Sequence, residues 1–426
     1  MSAGQQASSV TRHGITWTFD TTYQVGQYVN GDWWVVGPVT INSVSPAWDG
    51  SKNGSVLDMG GEDVGQGFSN ISGVNWSYAS GLRATYPLAV DGDSIHSLIS
   101  VIGRDTENNG GANQVLTDAA VLTIVPTAPA ADAFRPAYMG TKTHYRWSNV
   151  LTNLLPDLAL PSGATLPDTD SMDRVWLTAL PGSDISLGRG YVGACIHPEN
   201  NMPTYPRDSS LIVSQYACAA MVSSDDRDTY VKRLIQLGID LYGINEDTVD
   251  PIWGGAGFGL GWKFPIIFAG VMLNDAGMKA PTSTATGGVP CFMEDSHTYM
   301  SAEYSPARPM WGAVAEHYGY AVNGFCFQNF DFRDPDELAE VQAPTGYPEL
   351  YGTTSGGATV SGNYRDMGYV WTGQALAGRI MSMETVWDHD AWFDYLDRCV
   401  DDAVWSPSVW GDAFIQKMWE TYRGSY

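Results

Sequence analysis

The sequence predicts an α+β, multidomain fold: a β-sandwich-like domain over residues 1–130, then a mostly helical, (α/α) toroid-like domain over residues 131–426. Three observations predict it. Short runs rich in β-branched and aromatic residues fill the first 130 positions, separated by Gly, Asn, Asp and Ser. Longer segments with helical apolar spacing fill the rest. Between the two, Thr127-Ala-Pro-Ala-Ala-Asp-Ala-Phe-Arg-Pro136 has the composition of a linker.

The β-rich part opens with the alternating run Gly14–Asp20. Asn30-Gly31 then separates Tyr23–Val29 from Trp33–Thr40, a strong hairpin signal because both turn residues tolerate positive φ. Further strands are expected at Leu82–Leu88, Ser94–Ile102 and Ala119–Val125. Helices are expected at 146–155, 209–222, 226–243, 262–277, 308–318, 367–383, 389–403 and 411–422. The run Phe264–Leu273 has no polar face and should be buried on most sides. Residues 226–241 are amphipathic, with Tyr230, Leu234 and Leu237 on one side. Buried helices alternating with amphipathic ones suit a double-layered ring of helix pairs, although a plain bundle shows the same pattern. The long connections 160–207, 244–261, 279–307 and 324–363 are of the kind that carry function. No fixed-period repeat is present, which argues against solenoids and propellers.

Composition bounds the function. The 426 residues hold 47 acidic and 22 basic side chains, a net charge of −25. No basic stripe is present, so nucleic acid is not the expected partner. No apolar run reaches the ~18 residues of a spanning helix, so membrane insertion is not expected. With 16 Trp, 22 Tyr and 13 Phe the chain is too aromatic to be disordered. Cys195, Cys218, Cys291, Cys326 and Cys399 form no CxxC and no zinc spacing, and single buried thiols are expected. The first residues lack a basic and an apolar region, so they do not read as a signal peptide. The expected location is nonetheless extracellular, by removal of a signal or another route of export, or virion-associated.

Four clusters could carry chemistry. The richest is His197-Pro-Glu-Asn-Asn-Met-Pro-Thr-Tyr-Pro-Arg-Asp208, ahead of a helix opened by Ser209 or Ser210. A helix N-terminus favours an anion. Breaking the C4–O bond of a uronate by β-elimination needs a neutralised carboxylate, a base for H5 and an acid for the leaving oxygen. Asn201, His197 and Arg207 can serve the first need, and Tyr205 can serve the others at a suitable pKa. The alternative is a capped loop in which Asp208 pairs with Arg207 or caps the helix. The second cluster is Glu294-Asp-Ser-His-Thr-Tyr299 with Tyr304 and Arg308, where His297 and Tyr299 could form a site rim. Glu294, Asp295 and His297 are also metal-ligand types, but no second acid/His cluster lies nearby in sequence, so no metal and no cofactor is expected. The third is His144-Tyr-Arg-Trp147, where His144 and Arg146 lie at the junction of the two parts, either facing a cleft or packing an interface. The fourth is Tyr364-Arg365 with Trp371, a possible sugar subsite or simply core.

Gly254–Gly261 lacks the spacing of a nucleotide loop, so its glycines are expected to admit close backbone approach, with Trp253, Trp262 and Lys263 beside them able to contact a ligand. Alternation puts Trp33 and Trp34 on opposite faces of a strand, one in the core and one exposed, and Trp34 is a stacking candidate. No Gly-x-Ser-x-Gly and no His-Glu-x-x-His is present.

Trp-rich helix pairs, with loops bearing His197, Asn201, Tyr205 and Arg207, resemble the helical-toroid polysaccharide lyases: the alginate-lyase, chondroitin AC lyase and heparinase-like group. The resemblance is architectural, covers roughly residues 140–426, and departs from the usual layout in placing the β-domain first. It implies a polysaccharide as substrate and partner, cleaved at a uronate, with Tyr205 or Tyr299 as acid and base. Two other expectations stand beside it. A glycoside hydrolase would need two carboxylates about 5–9.5 Å apart, from Asp208, Glu294, Asp295 and Asp366. A structural or adhesive protein, such as a virion component, would need neither.

Overall fold

The computed structural model describes residues 4–50, 53–59, 83–103, 116–173, 207–247, 260–285, 289–301, 305–311, 365–401 and 411–426. It is a mixed α+β structure, with a curled mixed sheet in the N-terminal part and helices in the C-terminal region. The sheet holds β1 (Gln5–Arg12), β2 (Ile15–Gln27), β3 (Trp33–Val36), β4 (Val39–Ser45), β5 (Gly54–Leu57), β6 (Leu88–Val90), β7 (His96–Gly103) and β8 (Leu116–Val125). Their order is β5-β7-β8-β3-β2-β4-β6, with β1 also paired to β2. Only the β3–β8 pair is parallel.

The curl follows from β2. Its start pairs with β4, its end with β3, and β1 runs along it through a register shift at Ala7/Ser9. A second shift lies at Thr18/Phe19. Such irregularities bend a strand and raise its local twist. Sequence reading splits this strand at Thr21-Thr22, yet it is continuous. The curl brings Trp17 of β2 against β7, where its indole N–H donates to Ser100 Oγ at 3.0 Å.

Strands β7 and β8 are buried on both faces, which is why their sequences are almost continuously apolar. Leu98, Ala120, Leu122 and Ile124 point into the curl with Trp17, Phe19 and Ile41. Ile99, Val101, Ala119 and Val121 point the other way, into the main cluster shared with the helices.

The helices are α1 (Arg207–Met221), α2 (Arg227–Asp247), α3 (Lys263–Leu273), α4 (Ala276–Lys279), α5 (Met293–His297), α6 (Thr372–Ile380), α7 (Glu384–Trp387), α8 (Asp390–Asp401) and α9 (Ala413–Tyr422). Helix α2 packs on α1 and α3, and α1 packs on α6 and α9. As its sequence requires, α3 is buried from Lys263 to Gly270 and again at Met272. No described helix is long and apolar enough to cross a membrane. Gly238 of α2 lies against the backbone of Pro265, with no room for a Cβ. Gly238→Ala is therefore expected to cost about 1–3 kcal/mol by forcing α2 and α3 apart, read as a lowered urea midpoint. An unchanged midpoint would show that the contact is not tight.

Expectations change at several points. The described part of Leu82–Leu88 holds a bridge at Arg83 and a bend, and the strand there, β6, begins only at Leu88. Trp33–Thr40 is divided into β3 and β4 at Gly37-Pro38, where proline has no N–H for a ladder. Residues 146–155 form two 3-10 turns, Trp147–Asn149 and Thr152–Leu154, rather than an α-helix. There Asp132 accepts from Arg146 Nε and Ser148 N, and Leu151 N donates to Met272 O, so the chain is drawn to outside partners. After the short pair β9 (Thr284–Ala285) and β10 (Val289–Pro290), the helix expected over 308–318 gives way at Arg308–Trp311 to β12, paired antiparallel with β11 (Thr298–Ser301), and 312–318 lie outside the described residues. The linker-like stretch is not free: residues 133–139 are all buried. Its Arg135 is wholly enclosed, with Nε donating to Asp32 at 2.7 Å and the guanidinium forking onto Asp240 at 3.0 and 2.6 Å.

Cys218, Cys291 and Cys399 are buried, while Cys195 and Cys326 lie outside the described residues.

Candidate functional site

A groove of about 200 Å³ opens between α2, the chain after β8 and the start of α4. Helix α2 supplies Ile239, Tyr242, Gly243 and Glu246, which share one face by their three- and four-residue spacing. The opposite wall is the irregular segment 141–145, turned by Thr143 N donating to Thr141 O at 3.2 Å, from which Thr141, Thr143 and Tyr145 line the groove. Asp275, Gly277 and Met278 close the third side.

The groove is held by its own hydrogen bonds. Asp275 is the N-cap of α4, accepting from Met278 N at 2.9 Å through Oδ1. Its other oxygen accepts from the Tyr145 hydroxyl at 2.8 Å. Burial pushes the Tyr145 phenol well up, and its bond to the Asp275 carboxylate and the charge of that group push it further. Burial likewise raises Tyr242 to about 12, with the Glu246 charge and hydrogen bond adding to it. Both phenols thus stay protonated at working pH, so they can orient a ligand but cannot act as bases. The same electrostatics place both carboxylates within reach of both rings: Tyr145 and Tyr242 each feel Asp275 and Glu246.

Among the described residues lining the groove none is Lys, Arg or His. Lys142, between the two inward threonines, turns away and donates to Ala137 O at 2.8 Å and Ser97 Oγ at 3.2 Å. Burial lowers its pKa to about 8.

A second polar cluster lies deeper. Lys263 at the start of α3 donates to Asp295 at 2.7 Å and to Trp387 O at 2.8 Å, with its ammonium 4.7 Å from the Trp387 ring centre. Glu294 is fully buried beside it, with Oε1 3.4 Å from Lys263 N and Oε2 without a hydrogen-bond partner. Burial pushes this carboxyl up to about 8. Thr298 Oγ1 donates to Glu294 O at 2.7 Å and lies 2.9 Å from His389 Nε2, whose pKa burial lowers. Among the described residues no group of three His, Cys, Asp or Glu side chains could hold a metal.

A third knot ties the sheet edge. His96 Nδ1 meets Asp58 at 2.5 Å and Nε2 meets Asp91 at 3.1 Å. Burial opposes its protonation, but the two carboxylates outweigh that and raise its pKa. A raised histidine pKa gives stability that is complete below the ordinary value of about 6.5 and is lost as pH rises through the folded value. His96→Gln should therefore lower the thermal midpoint at about pH 5 and leave it near wild type at about pH 9. A difference that persisted at high pH would instead make His96 a packing residue.

The sequence-derived candidates divide as follows. His197, Asn201, Tyr205, Trp253 and Tyr364 lie outside the described residues. Arg207 opens α1, His297 ends α5, Arg308 opens β12 and Arg365 opens the 3-10 turn before α6, and nothing further is described of their side chains. Tyr299 sits on β11 opposite Met310. Trp34, Trp262 and Trp371 are buried, at 4%, 1% and 0% exposure, so their rings belong to the core and offer no open face to a sugar. His144 lies 3.2 Å from the Tyr28 hydroxyl, and Arg146 pairs with Asp132 at 2.9 Å. Neither is among the described residues lining the groove. The His144–Trp147 motif does reach it, through Tyr145.

Sequence reading missed Tyr145, Tyr242, Glu246 and Asp275. The signal for one of them was present: Tyr242 lies in the helix expected over 226–243, whereas Glu246 falls in the expected connection and is carried by α2 one turn further on.

No protein family, no curated protein and no solved structure compared with the chain matches it, so its function rests on its own residues.

Proposed function

We propose that the chain is a carbohydrate-active protein that seats a sugar unit of a polysaccharide in the groove between Tyr145 and Tyr242 and cleaves a glycosidic bond there. The groove carries the reading: two phenol rings, two threonine hydroxyls and two carboxylates converge on about 200 Å³. Rings offer faces for stacking, and hydroxyls and carboxylates offer partners for sugar hydroxyls. The volume is small beside the roughly 300–1,000 Å³ of sites for larger ligands, which suits one ring of a chain passing over it.

Asp275 and Glu246 are the carboxylate pair for hydrolysis, one as general acid and the other as base or nucleophile. Asp275→Asn keeps a good helix cap, and Glu246 is exposed. Each neutral variant should therefore fold and lose about 10²–10⁴-fold in turnover. The measurement is release of reducing ends from a panel of polysaccharides, and full activity in both variants rules the pair out.

The elimination mechanism remains a second proposal. It rests on His197, Asn201, Tyr205 and Arg207, and its support is that α1 begins at Arg207, so that segment leads into a helix N-terminus. Products absorbing in the near ultraviolet would mark elimination, and reducing ends without that absorbance mark hydrolysis. Silence on every glycan together with self-assembly would favour a structural protein.

The finer architecture belongs with this reading. We propose that the curl of the sheet, closed by Trp17 on Ser100, is sandwich-like. The pairing of α1 with α2 and α2 with α3 is the start of a toroid of helix pairs.

A further inference from the structure

The charge of the groove points to more than a sugar in general. Its described lining holds two carboxylates and no cation, and the lysines next to lining residues in the chain are engaged elsewhere, Lys142 with Ser97 and Ala137 and Lys279 with Asn274. Asp275 is already an acceptor twice over, from Met278 N and Tyr145, while Glu246 on α2 takes one hydrogen bond, from Tyr242, and is exposed. Phenol rings present a negative π-face that attracts an ammonium group. The chain's net charge of −25 adds a field that draws cations and repels anions. A uronate here would meet two like charges with no partner. A neutral sugar would use Glu246 only as a hydrogen-bond acceptor and leave its charge unpaired.

We infer that this groove selects amino sugars: its ligand is a hexosamine unit with a free ammonium group, held by Glu246 and Asp275 between the Tyr145 and Tyr242 rings. The inference rests on the proposed carbohydrate function and narrows it. Glu246 is the discriminating residue, because its carboxylate is exposed and can pair directly with the ammonium in a charge-assisted hydrogen bond.

The test is calorimetric titration of the full chain with three probes of matched length: glucosamine oligomers, their N-acetylated neutral counterparts and oligouronates. Glucosamine oligomers should bind tightest, and more weakly as salt rises. Glu246→Gln should weaken them about tenfold more than it weakens the neutral oligomers, the scale of one charge-assisted contact. General attraction to an acidic protein would survive Glu246→Gln, so an unchanged glucosamine affinity in the variant overturns the inference. Equal affinity for amino and neutral oligomers, or preference for uronates, also overturns it while the carbohydrate reading stands. No binding of any of the three overturns both. The thermal midpoint of Glu246→Gln, expected to match wild type for an exposed residue, separates lost binding from lost fold.

Discussion

Arg135→Met should destabilise the protein by roughly 3–5 kcal/mol, the scale of breaking a buried ion pair by removing one partner. Arg135 is completely enclosed, and so is Asp240, while Asp32 is nearly so. The guanidinium is the one group that contacts both carboxylates: Asp240 through two bonds and Asp32 through Nε. Burial pushes Asp240 up to about 6 even with the arginine present. Burial also opposes ionisation of Asp32, but Arg135 and Arg12 together hold it below the usual range. Met fills much of the volume and none of the charge, so among the described residues Asp240 would be left with Gln236 Nε2 at 3.5 Å and Asp32 with Arg12 and Asn30. The network also ties distant pieces together. Asp32 lies in the β2–β3 turn, Asp240 on α2, and Gln236 exchanges hydrogen bonds with the Arg135 backbone at 3.0 Å each way. Urea unfolding measures the loss, and a change under ~1 kcal/mol would show that the three groups are not coupled. A triple replacement, Arg135→Met with Asp240→Leu and Asp32→Asn, should recover most of the stability, since buried ion networks exchanged whole for apolar groups are often neutral.

The same network explains what the sequence left illegible. Residues 127–136 have the Ala, Pro and Asp content of exposed chain, yet Ala133 to Met139 are core. What buries them is supplied from 103 and 105 residues away, and no local window contains Asp32 and Asp240 together with Arg135. Residues 308–311 failed for a related reason. Their local pattern permits a helix, and pairing with Thr298–Ser301 decides for a strand. Where burial is dictated by the segment's own period the reading held: β7 and β8, apolar on both faces, and α3, apolar all round. The groove was half legible. Tyr242 is legible inside the helix expected over 226–243 and Tyr145 inside the His144–Trp147 motif, whereas Glu246 lies beyond the expected helix end. Asp275 does not follow, because as a helix cap it looks like any other.

Glu294→Gln should make the protein more stable at alkaline pH and flatten its pH dependence. The Glu294 carboxyl is wholly buried, and its Oε2 has no hydrogen-bond partner. Lys263, the nearest cation, already donates to Asp295 and Trp387 O. Burial dominates and raises the carboxyl from 4.5 to about 8, with the neighbouring Asp295 charge adding and Lys263 opposing. The folded chain therefore holds a proton between those values that the unfolded chain has released. Stability from this group is complete below pH 4.5 and is lost as pH rises through about 8. The ceiling on that loss is about 5 kcal/mol, at ~1.4 kcal/mol per unit of pH between the two values. The amide carries no such penalty but brings a donor that needs a partner, at a cost of about 1–3 kcal/mol. The two effects leave a net gain of about 2 kcal/mol or more at about pH 9 and little change, or a small loss, at about pH 5. Urea midpoints of the two proteins at those two pH values decide it: parallel profiles would mean that Glu294 is ionised with a partner or reached by water. If the variant gains stability and also loses activity on the substrate that the screen identifies, the buried acid is kept for chemistry, since a carboxyl that stays protonated near neutral pH is a proton donor.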